Sequence, residues 1–152
     1  MPSPFKSLPF LLLTTALLTA CSGEVEDTRP GQPVKSRQTA FKEILKSYEP
    51  MGVMLREDRY QADKFLALAT EIMSKREAPW SHFGPDTNYP PTKSTPEVWS
   101  QAEQFEAKRR AFFTASDALL AAAQAKDKQQ AFAAHKALYE TCQDCHKTFK
   151  VR

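Results

Sequence analysis

Apolar side chains recur at three- and four-residue steps along four segments of this chain, a pattern typical of amphipathic helices. The first predicted helix covers Val34 to Arg56, with Phe41, Ile44, Leu45, Tyr48, Met51, Met54 and Leu55 facing inward. The second covers Tyr60 to about Arg76, and we expect Asp58 to be its N-cap. Its inward residues are Phe65, Leu66, Leu68, Ala69, Ile72 and Met73.

The helical pattern stops between Ala78 and Thr95, where prolines, glycines and aromatic residues predict a long, packed loop. Thr95-Pro96-Glu97 predicts the start of a third helix with Thr95 as N-cap, and alanine-rich residues 121–125 end it. Its inward residues are Val98, Trp99, Ala102, Phe105, Phe112, Phe113, Leu119 and Leu120.

The fourth predicted helix covers about Lys128 to Lys150 and is capped by Asp127. Its apolar side holds Phe132, His135, Leu138, Tyr139, Cys142, Cys145, His146 and Phe149. Four helices and no credible strand predict an all-α fold, an antiparallel up-down-up-down four-helix bundle.

The N-terminus has the pattern of an export signal, because Lys6 precedes an apolar run from Leu8 to Ala20 that is too short to span a bilayer. Leu18-Thr19-Ala20-Cys21 resembles the lipobox of bacterial lipoproteins, in which cleavage leaves Cys21 as a lipid-modified first residue. An ordinary signal peptide that contains a cysteine is the alternative. We expect a lipoprotein-type signal peptide over 1–20, a flexible tether over 21–33 and one bundle domain over 34–152.

These features predict a periplasmic protein that is anchored to a membrane through lipid on Cys21. Ser22 replaces the Asp that retains lipoproteins in the inner membrane of enteric bacteria, which favours the outer membrane. The net charge is only +3, and the Lys and Arg residues are interspersed with Asp and Glu. This distribution favours a solvated surface over a nucleic-acid patch.

Cys142-Gln143-Asp144-Cys145-His146 has the spacing of a covalent attachment site for haem c. On a helix these two thiols and the imidazole share one face, so the thiols reach two vinyl groups and His146 reaches the iron. A thioredoxin-like redox pair or half of a zinc site are the alternatives. The first would follow a βα pattern and the second needs another Cys/His cluster, and the sequence has neither.

The antiparallel topology places this haem motif beside the first turns of the first helix, near Arg37 to Phe41. Met51 lies ten residues beyond Phe41, or ~15 Å along the helix, and Met54 is further still. Core packing is therefore the prediction for both methionines.

Three other residues have side chains that can ligate iron as a sixth ligand. His135 precedes His146 by eleven residues on the same helix and cannot reach the opposite face of the haem. Met73 and His82 remain open as alternatives. The expectation is a five-coordinate iron with an apolar distal face, which leaves one position for a small gas.

The chain resembles cytochrome c′, the high-spin class II c-type cytochromes, over the whole mature domain. The resemblance rests on Arg37-Gln38, Pro79-Trp80, Phe83-Gly84-Pro85, Pro96-Glu97-Val98-Trp99 and the haem motif. It implies that His146 is the only axial ligand, that Arg37 and Gln38 approach the haem edge, and that Phe41 lies over the iron. By the same resemblance Arg37 would pair with a propionate. A homodimer through the first two helices is also implied.

One residue departs from the family pattern. Lys150 stands where relatives commonly have an arginine beside the proximal face of the haem. A lysine keeps the positive charge but loses the planar guanidinium, so proximal gas-binding behaviour that needs an arginine is in doubt.

We expect a gas-binding protein rather than an enzyme, with nitric oxide or carbon monoxide as ligand and a role in nitric oxide buffering, transport or protection. An electron-transfer cytochrome with an unknown redox partner is the alternative, and it would be favoured by a sixth ligand. A peroxidase-like enzyme ranks third, because the sequence offers no distal His and Arg pair.

Overall fold

The computed structural model describes residues 25–151. Its helices are α1 (Pro33–Arg56), α2 (Ala62–Lys75), α3 (Glu97–Ser100), α4 (Ala102–Gln124) and α5 (Lys128–Phe149), with a 3₁₀ turn at Trp80–His82. The four long helices form the predicted bundle. Over residues 25–151 there is no strand, and a single β-bridge joins Ser94 to Lys150.

The N-terminal predictions fall largely outside the described part of the chain. The predicted signal peptide, Cys21 and Ser22 all lie there. Among the described residues, no helix combines the length and the apolar character needed to cross a membrane.

The bundle is held together by apolar side chains from all four long helices. Phe65, Met51, Ile72, Leu119 and Leu138 are each no more than 1% exposed. Each such side chain contributes about 1.5–3 kcal/mol through its removal from water. The predicted core is therefore confirmed at these positions, and Met51 is part of it.

One of the three predicted N-caps is confirmed and two are wrong. The Asp127 carboxylate accepts a hydrogen bond from the backbone N–H of Gln130 at 2.8 Å and caps α5. Asp58 has a left-handed backbone, and its carboxylate pairs with Lys128, so α2 begins later, at Ala62. The Thr95 hydroxyl donates instead to the Thr148 carbonyl oxygen at 2.8 Å, which ties the loop to the end of α5.

The predicted third helix is broken at Gln101, whose backbone angles of −121° and 46° are not helical. The sequence carries no proline or glycine at this point. The Trp99 indole N–H donates to the Gly84 carbonyl oxygen at 2.9 Å, so α3 is bound to the loop rather than continuous with α4. We attribute the break to this tertiary contact, which the helical pattern alone does not reveal.

The part of the predicted tether that the structure describes, residues 25–33, is attached to the bundle. Asp27 is 1% exposed, and its carboxylate accepts hydrogen bonds from the Lys35 N–H at 3.0 Å and the Tyr89 hydroxyl at 2.8 Å. Arg29 lies over the Tyr89 ring, 3.9 Å from its centroid. Residues 27–32 are therefore fixed to the bundle, and the folded domain begins before Val34.

Three of the large apolar residues that were predicted to face inward are exposed. Leu45 on α1 and both Phe132 and Tyr139 on α5 lie at the outer surface of the bundle. The apolar stripe of α1 and of α5 is therefore wider than the part of each helix that is buried.

Candidate functional site

The helices α1 and α5 are aligned by a contact between Tyr48 and His135. Their rings are stacked, with centroids 4.2 Å apart and an interplanar angle of 6°. A Cβ built on Gly52 would lie 3.1 Å from His135 Cε1, so His135 is level with the turn between residues 48 and 52. Because the bundle is antiparallel, Phe41 is level with the segment 142–146.

The loop between α2 and α3 confirms this alignment, because it contacts the beginning of α1 and the end of α5. At one side it receives the Arg37 guanidinium. At the other side the Thr95 N–H donates to the Phe149 carbonyl oxygen at 3.2 Å, and the Val151 N–H donates to that of Lys93 at 2.8 Å. The predicted proximity of the haem motif to the region of Arg37 to Phe41 is therefore confirmed.

The three ligating groups of the motif stand on one face of the last turns of α5. Cys142 and Cys145 are half-buried free thiols, and Cys142 packs against the core. His146 is exposed on the polypeptide surface, and it follows by eleven residues, about three turns, the His135 ring that stacks on Tyr48 of α1. The donor set therefore matches what covalent haem c requires, two thiols and one imidazole on a common face.

The thiols do not have the character of a redox pair. Burial raises the pKa of Cys145 to about 11 and raises the pKa of Cys142 as well. Reactive redox cysteines instead have a lowered pKa, so a thioredoxin-like role is disfavoured. Over residues 25–151 no group of three or more His, Cys, Asp or Glu side chains is arranged to hold a metal ion.

The surroundings of His146 favour its neutral form, which is the form that binds iron. Desolvation lowers the pKa of His146, and the positive charge of Lys150 lowers it further. Lys150 itself is exposed and lies at the C-terminal end of α5. Lys150 therefore acts electrostatically on the proposed ligand, which fits its predicted place near this side of the site.

An ion pair that sequence analysis did not identify anchors the haem motif. Asp144, between the two cysteines, pairs with Lys108 of α4. Lys147 is a second and weaker partner of Asp144, at 3.6 Å. The two residues of the main pair are 36 positions apart in the sequence, and no local pattern relates them.

An aromatic wall lines the space between the start of α1 and the end of α5. Phe41 contacts Trp80 and Phe83, with ring centroids 5.5 Å and 6.3 Å away. Phe83 contacts Phe105 at 5.0 Å, and Phe105 contacts Phe149 at 5.3 Å. These five residues (Phe41, Trp80, Phe83, Phe105 and Phe149) are called the aromatic wall below. They give the apolar surroundings that a haem macrocycle needs, so the residues present fit the group.

A cleft of about 280 Å³ adjoins this wall. It lies between the loop and the α3–α4 corner, and it is lined mainly by Trp80, Phe83, Trp99 and Phe105. Trp80 and Phe83, which the sequence analysis placed in a packed loop and among the residues of the family resemblance, therefore belong both to the aromatic wall and to this cleft.

Arg37 holds the loop in place. It is 2% exposed, and its guanidinium donates to the carbonyl oxygens of His82 and Thr87, at 3.0 and 2.9 Å, and to the Thr92 hydroxyl at 2.6 Å. The guanidinium also lies 4.8 Å from the Phe83 ring centroid. Three of its five N–H donors are used in this way, so the implied pairing with a propionate relies on the other two.

Gln38 takes part in the same clamp. Its side-chain amide donates to the Pro91 carbonyl oxygen at 3.0 Å. Neighbouring residues at the start of α1 therefore bind both halves of the loop.

The candidate sixth ligands lie in different places. Met51 and Met54 are buried in the core, as predicted, and the Met54 sulfur accepts from the Gln61 N–H at 3.2 Å. His135 is packed under Tyr48. His82 is half-buried in the 3₁₀ turn, and Met73 is half-buried on α2.

Comparison with known proteins agrees with this site. The Cytochrome C' family model matches residues 32–150. A cytochrome c' of Cereibacter sphaeroides is 32% identical over 124 residues, which are 78% of this chain and 83% of the relative. The structure of cytochrome c' from Rubrivivax gelatinosus is similar with a TM-score of 0.76 and 29% identity, over 82% of this chain and 99% of that one. A nitric oxide complex of a cytochrome c prime variant from Alcaligenes xylosoxidans has a TM-score of 0.77 and 29% identity, over 84% and 100% of the two chains.

Proposed function

Because this chain belongs to the cytochrome c′ family and therefore binds haem, we propose that it is a gas-binding protein of the periplasm and not an enzyme. Nitric oxide is its chief ligand in this proposal, and carbon monoxide is a second. We propose further that one haem is attached covalently through Cys142 and Cys145, with His146 as the only axial ligand.

The observation that carries the proposal is the position of Phe41. It is level with the segment 142–146, on the helix that faces His146, and it is backed by Trp80 and Phe83. An aromatic ring in that place supplies neither a ligand nor a hydrogen-bond donor. When bound, the haem supplies an iron with one open position, and neutral diatomic molecules suit an apolar site of this kind.

The structural relatives support the same ligand. Nitric oxide complexes are known for variants of the Alcaligenes xylosoxidans protein, which is 29% identical to this chain. In this chain, Arg37 and Gln38 would keep the loop closed over the site. The aromatic wall would exclude water and anions from the position where the gas binds.

The absorption spectrum of the dithionite-reduced protein, before and after addition of nitric oxide, tests the proposal. We expect a high-spin spectrum without a sharp α band, and a large change when the gas is added. A sharp low-spin spectrum that nitric oxide barely changes would contradict the proposal. It would reveal a sixth ligand such as Met73 or His82 and would favour an electron-transfer cytochrome.

We also propose that the chain is exported and anchored through lipid on Cys21, in the outer membrane. The support is the sequence pattern of residues 6–22, which lies outside the described residues. Mass spectrometry of the N-terminal peptide from isolated membranes should show acyl chains on Cys21. A Cys21→Ser variant that remains in the membrane fraction would contradict the proposed anchor, and fractionation of inner and outer membranes tests the location.

A further inference from the structure

The N-terminal segment holds one particular end of the bundle close to the proposed lipid anchor. Asp27, which is 1% exposed, lies beside the first turn of α1, because its carboxylate accepts from the Lys35 N–H. Only five residues separate Asp27 from Cys21. A chain of this length reaches at most ~21 Å when it is fully extended. The start of α1 must therefore lie within this reach of a lipid-modified Cys21.

The end of the bundle that this short connection holds is the one that carries the haem motif. The 24 residues of α1 extend for about 36 Å, so Arg56 lies that far from the residues that the connection holds. At the near end, the Arg29 guanidinium donates to the Asp86 carbonyl oxygen, and the Val151 N–H donates to that of Lys93, both at 2.8 Å. The N-terminal segment, the loop and the last turn of α5 thus form one surface. We call residues 25–38, 82–95 and 146–151 the haem end.

The haem end presents positive charge to its surroundings. Four of its basic side chains are exposed and form no ion pair with another residue of the described part of the chain. These are Arg29, Lys35, Lys93 and Lys150, which we call the basic cap. The exposed acidic residues of the haem end are Glu26 and Asp86. Lys147 is not included in the basic cap, because it pairs with Asp144.

The opposite end of the bundle differs, because its charges neutralise one another. There the ion pairs are Arg59 with Glu57, Lys126 with Asp63 and Lys128 with Asp58. A pair of opposite charges within the chain has only a weak field at a distance. Of the two ends, the haem end is therefore the one that attracts an anionic partner.

We propose that the haem end docks on the surface of the membrane that holds Cys21, with the basic cap against anionic phospholipid headgroups. This orientation rests on the proposed lipid anchor. Each Lys or Arg close to an anionic membrane strengthens binding, and the attraction falls off within about 10 Å at moderate salt. The short connection to Cys21 keeps the haem end near the membrane, and an anionic soluble protein has no such tie to this chain.

Docking in this orientation has a consequence for the gas. Nitric oxide is a small neutral molecule, so it partitions into the hydrocarbon of a membrane in preference to water. Phe83 and Phe149 of the aromatic wall belong to the haem end. The membrane that anchors the chain is then the nearest reservoir of the gas for this site.

Quenching of a fluorophore on the lipid headgroups by the haem tests the orientation. The full-length, lipidated and haem-loaded protein is reconstituted into vesicles of phosphatidylcholine alone and of phosphatidylcholine mixed with phosphatidylglycerol. Energy transfer to the haem decreases steeply with distance. We therefore expect stronger quenching in the anionic vesicles, and we expect high salt to abolish the difference.

Two double variants examine the role of the basic cap. Lys35→Glu combined with Lys93→Glu should reduce the quenching in anionic vesicles to the level in neutral vesicles, because the cap is repelled by the headgroups. Lys64→Glu combined with Arg110→Glu is the matched control. It changes the net charge equally at exposed positions outside the haem end and should leave the quenching unchanged. The Soret band and the thermal unfolding curve of each variant report whether its fold is intact.

Three results would overturn the proposal. Equal quenching in neutral and anionic vesicles would show that the haem end does not dock, and would leave the basic cap to an anionic soluble protein. Equal losses of quenching in the two double variants would show that net charge, rather than the basic cap, attracts the protein. Protein that fails to float with the vesicles would contradict the lipid anchor, and with it this orientation. Gas binding is tested separately by the nitric oxide spectrum, so it can hold while the orientation fails.

Discussion

The Tyr48 hydroxyl donates a hydrogen bond to the His135 carbonyl oxygen at 3.1 Å while the two rings stack in parallel. This relationship sets the alignment of α1 with α5. It thereby places Phe41 at the level of the haem motif, although Phe41 and the motif lie on helices at opposite ends of the chain. A contact in the middle of the bundle thus determines which residue faces the proposed ligand His146.

Tyr48→Phe should destabilise the protein by about 1 kcal/mol, because the ring is retained but the hydrogen bond from the Tyr48 hydroxyl to the His135 carbonyl oxygen is lost. Tyr60→Phe is a matched control, since the Tyr60 hydroxyl is buried without a hydrogen-bond partner. It should be neutral or stabilising. Urea unfolding of the haem-loaded protein measures both changes. Equal losses of unfolding free energy in the two variants would contradict a stabilising role of the Tyr48 hydroxyl.

Phe41→Ala should accelerate nitric oxide binding about ten-fold, which corresponds to ~1.4 kcal/mol of barrier. The physical reason is steric, because the Phe41 ring occupies space that an entering gas needs. Stopped-flow mixing of the reduced protein with nitric oxide gives the rate. Phe113→Ala, on α4 and outside the aromatic wall, serves as control, and the prediction is wrong if both variants bind at the wild-type rate.

Arg37→Lys should destabilise the protein by about 2–3 kcal/mol and loosen the loop. A lysine keeps the charge but cannot donate to His82, Thr87 and Thr92 together. Limited proteolysis should then cleave within residues 84–92 faster than in the wild type. Arg110→Lys, at an exposed position on α4, should change neither quantity.

The stability of the protein should decrease as the pH falls below about 6.5. Desolvation lowers the pKa of His135 in the folded state, the hydrogen bond with Tyr48 opposes this shift, and the charge of Arg56 adds to it. Between the lowered pKa of the folded state and 6.5, the unfolded chain therefore binds more protons than the folded protein does. The contribution of neutral His135 to the free energy of unfolding is complete above pH 6.5 and is lost as the pH falls below it.

His135→Gln should remove this part of the pH dependence, and His82→Gln should retain it. Urea unfolding between pH 5 and pH 8 supplies the measurement. A pH profile that is unchanged in the His135 variant would show that other groups cause the loss.

Cys142→Ser combined with Cys145→Ser should abolish covalent haem, because both thioether positions are removed. Haem staining after denaturing electrophoresis and intact mass measure the attachment. Cys21→Ser should keep the haem mass, because we assign that cysteine to lipid. Haem that stays bound to the chain under denaturing conditions in the double variant would contradict the assignment.

The amino-acid pattern identified most of the bundle because each long helix carries its own signal. The 3.6-residue period located α1, α2, α4 and α5, and Asp127 identified the start of α5. Asp58 and Thr95 are preferred N-cap residue types like Asp127. Their side chains nevertheless bind Lys128 and the Thr148 carbonyl oxygen instead of capping a helix. A capping residue is a local signal that a distant partner can take over.

The candidate site also has one part that follows from local spacing and another part that depends on distant contacts. The spacing of Cys142, Cys145 and His146 depends only on helix geometry, so the sequence by itself determined the haem motif and the fold class. The clamp of Arg37 on the loop, the Lys108–Asp144 pair and the break at Gln101 were decided only in the tertiary structure. The first two join residues that lie far apart in the chain, and the break accompanies the contact of Trp99 with Gly84. Such contacts follow from the packing of the helices and the loop rather than from any periodicity within one helix.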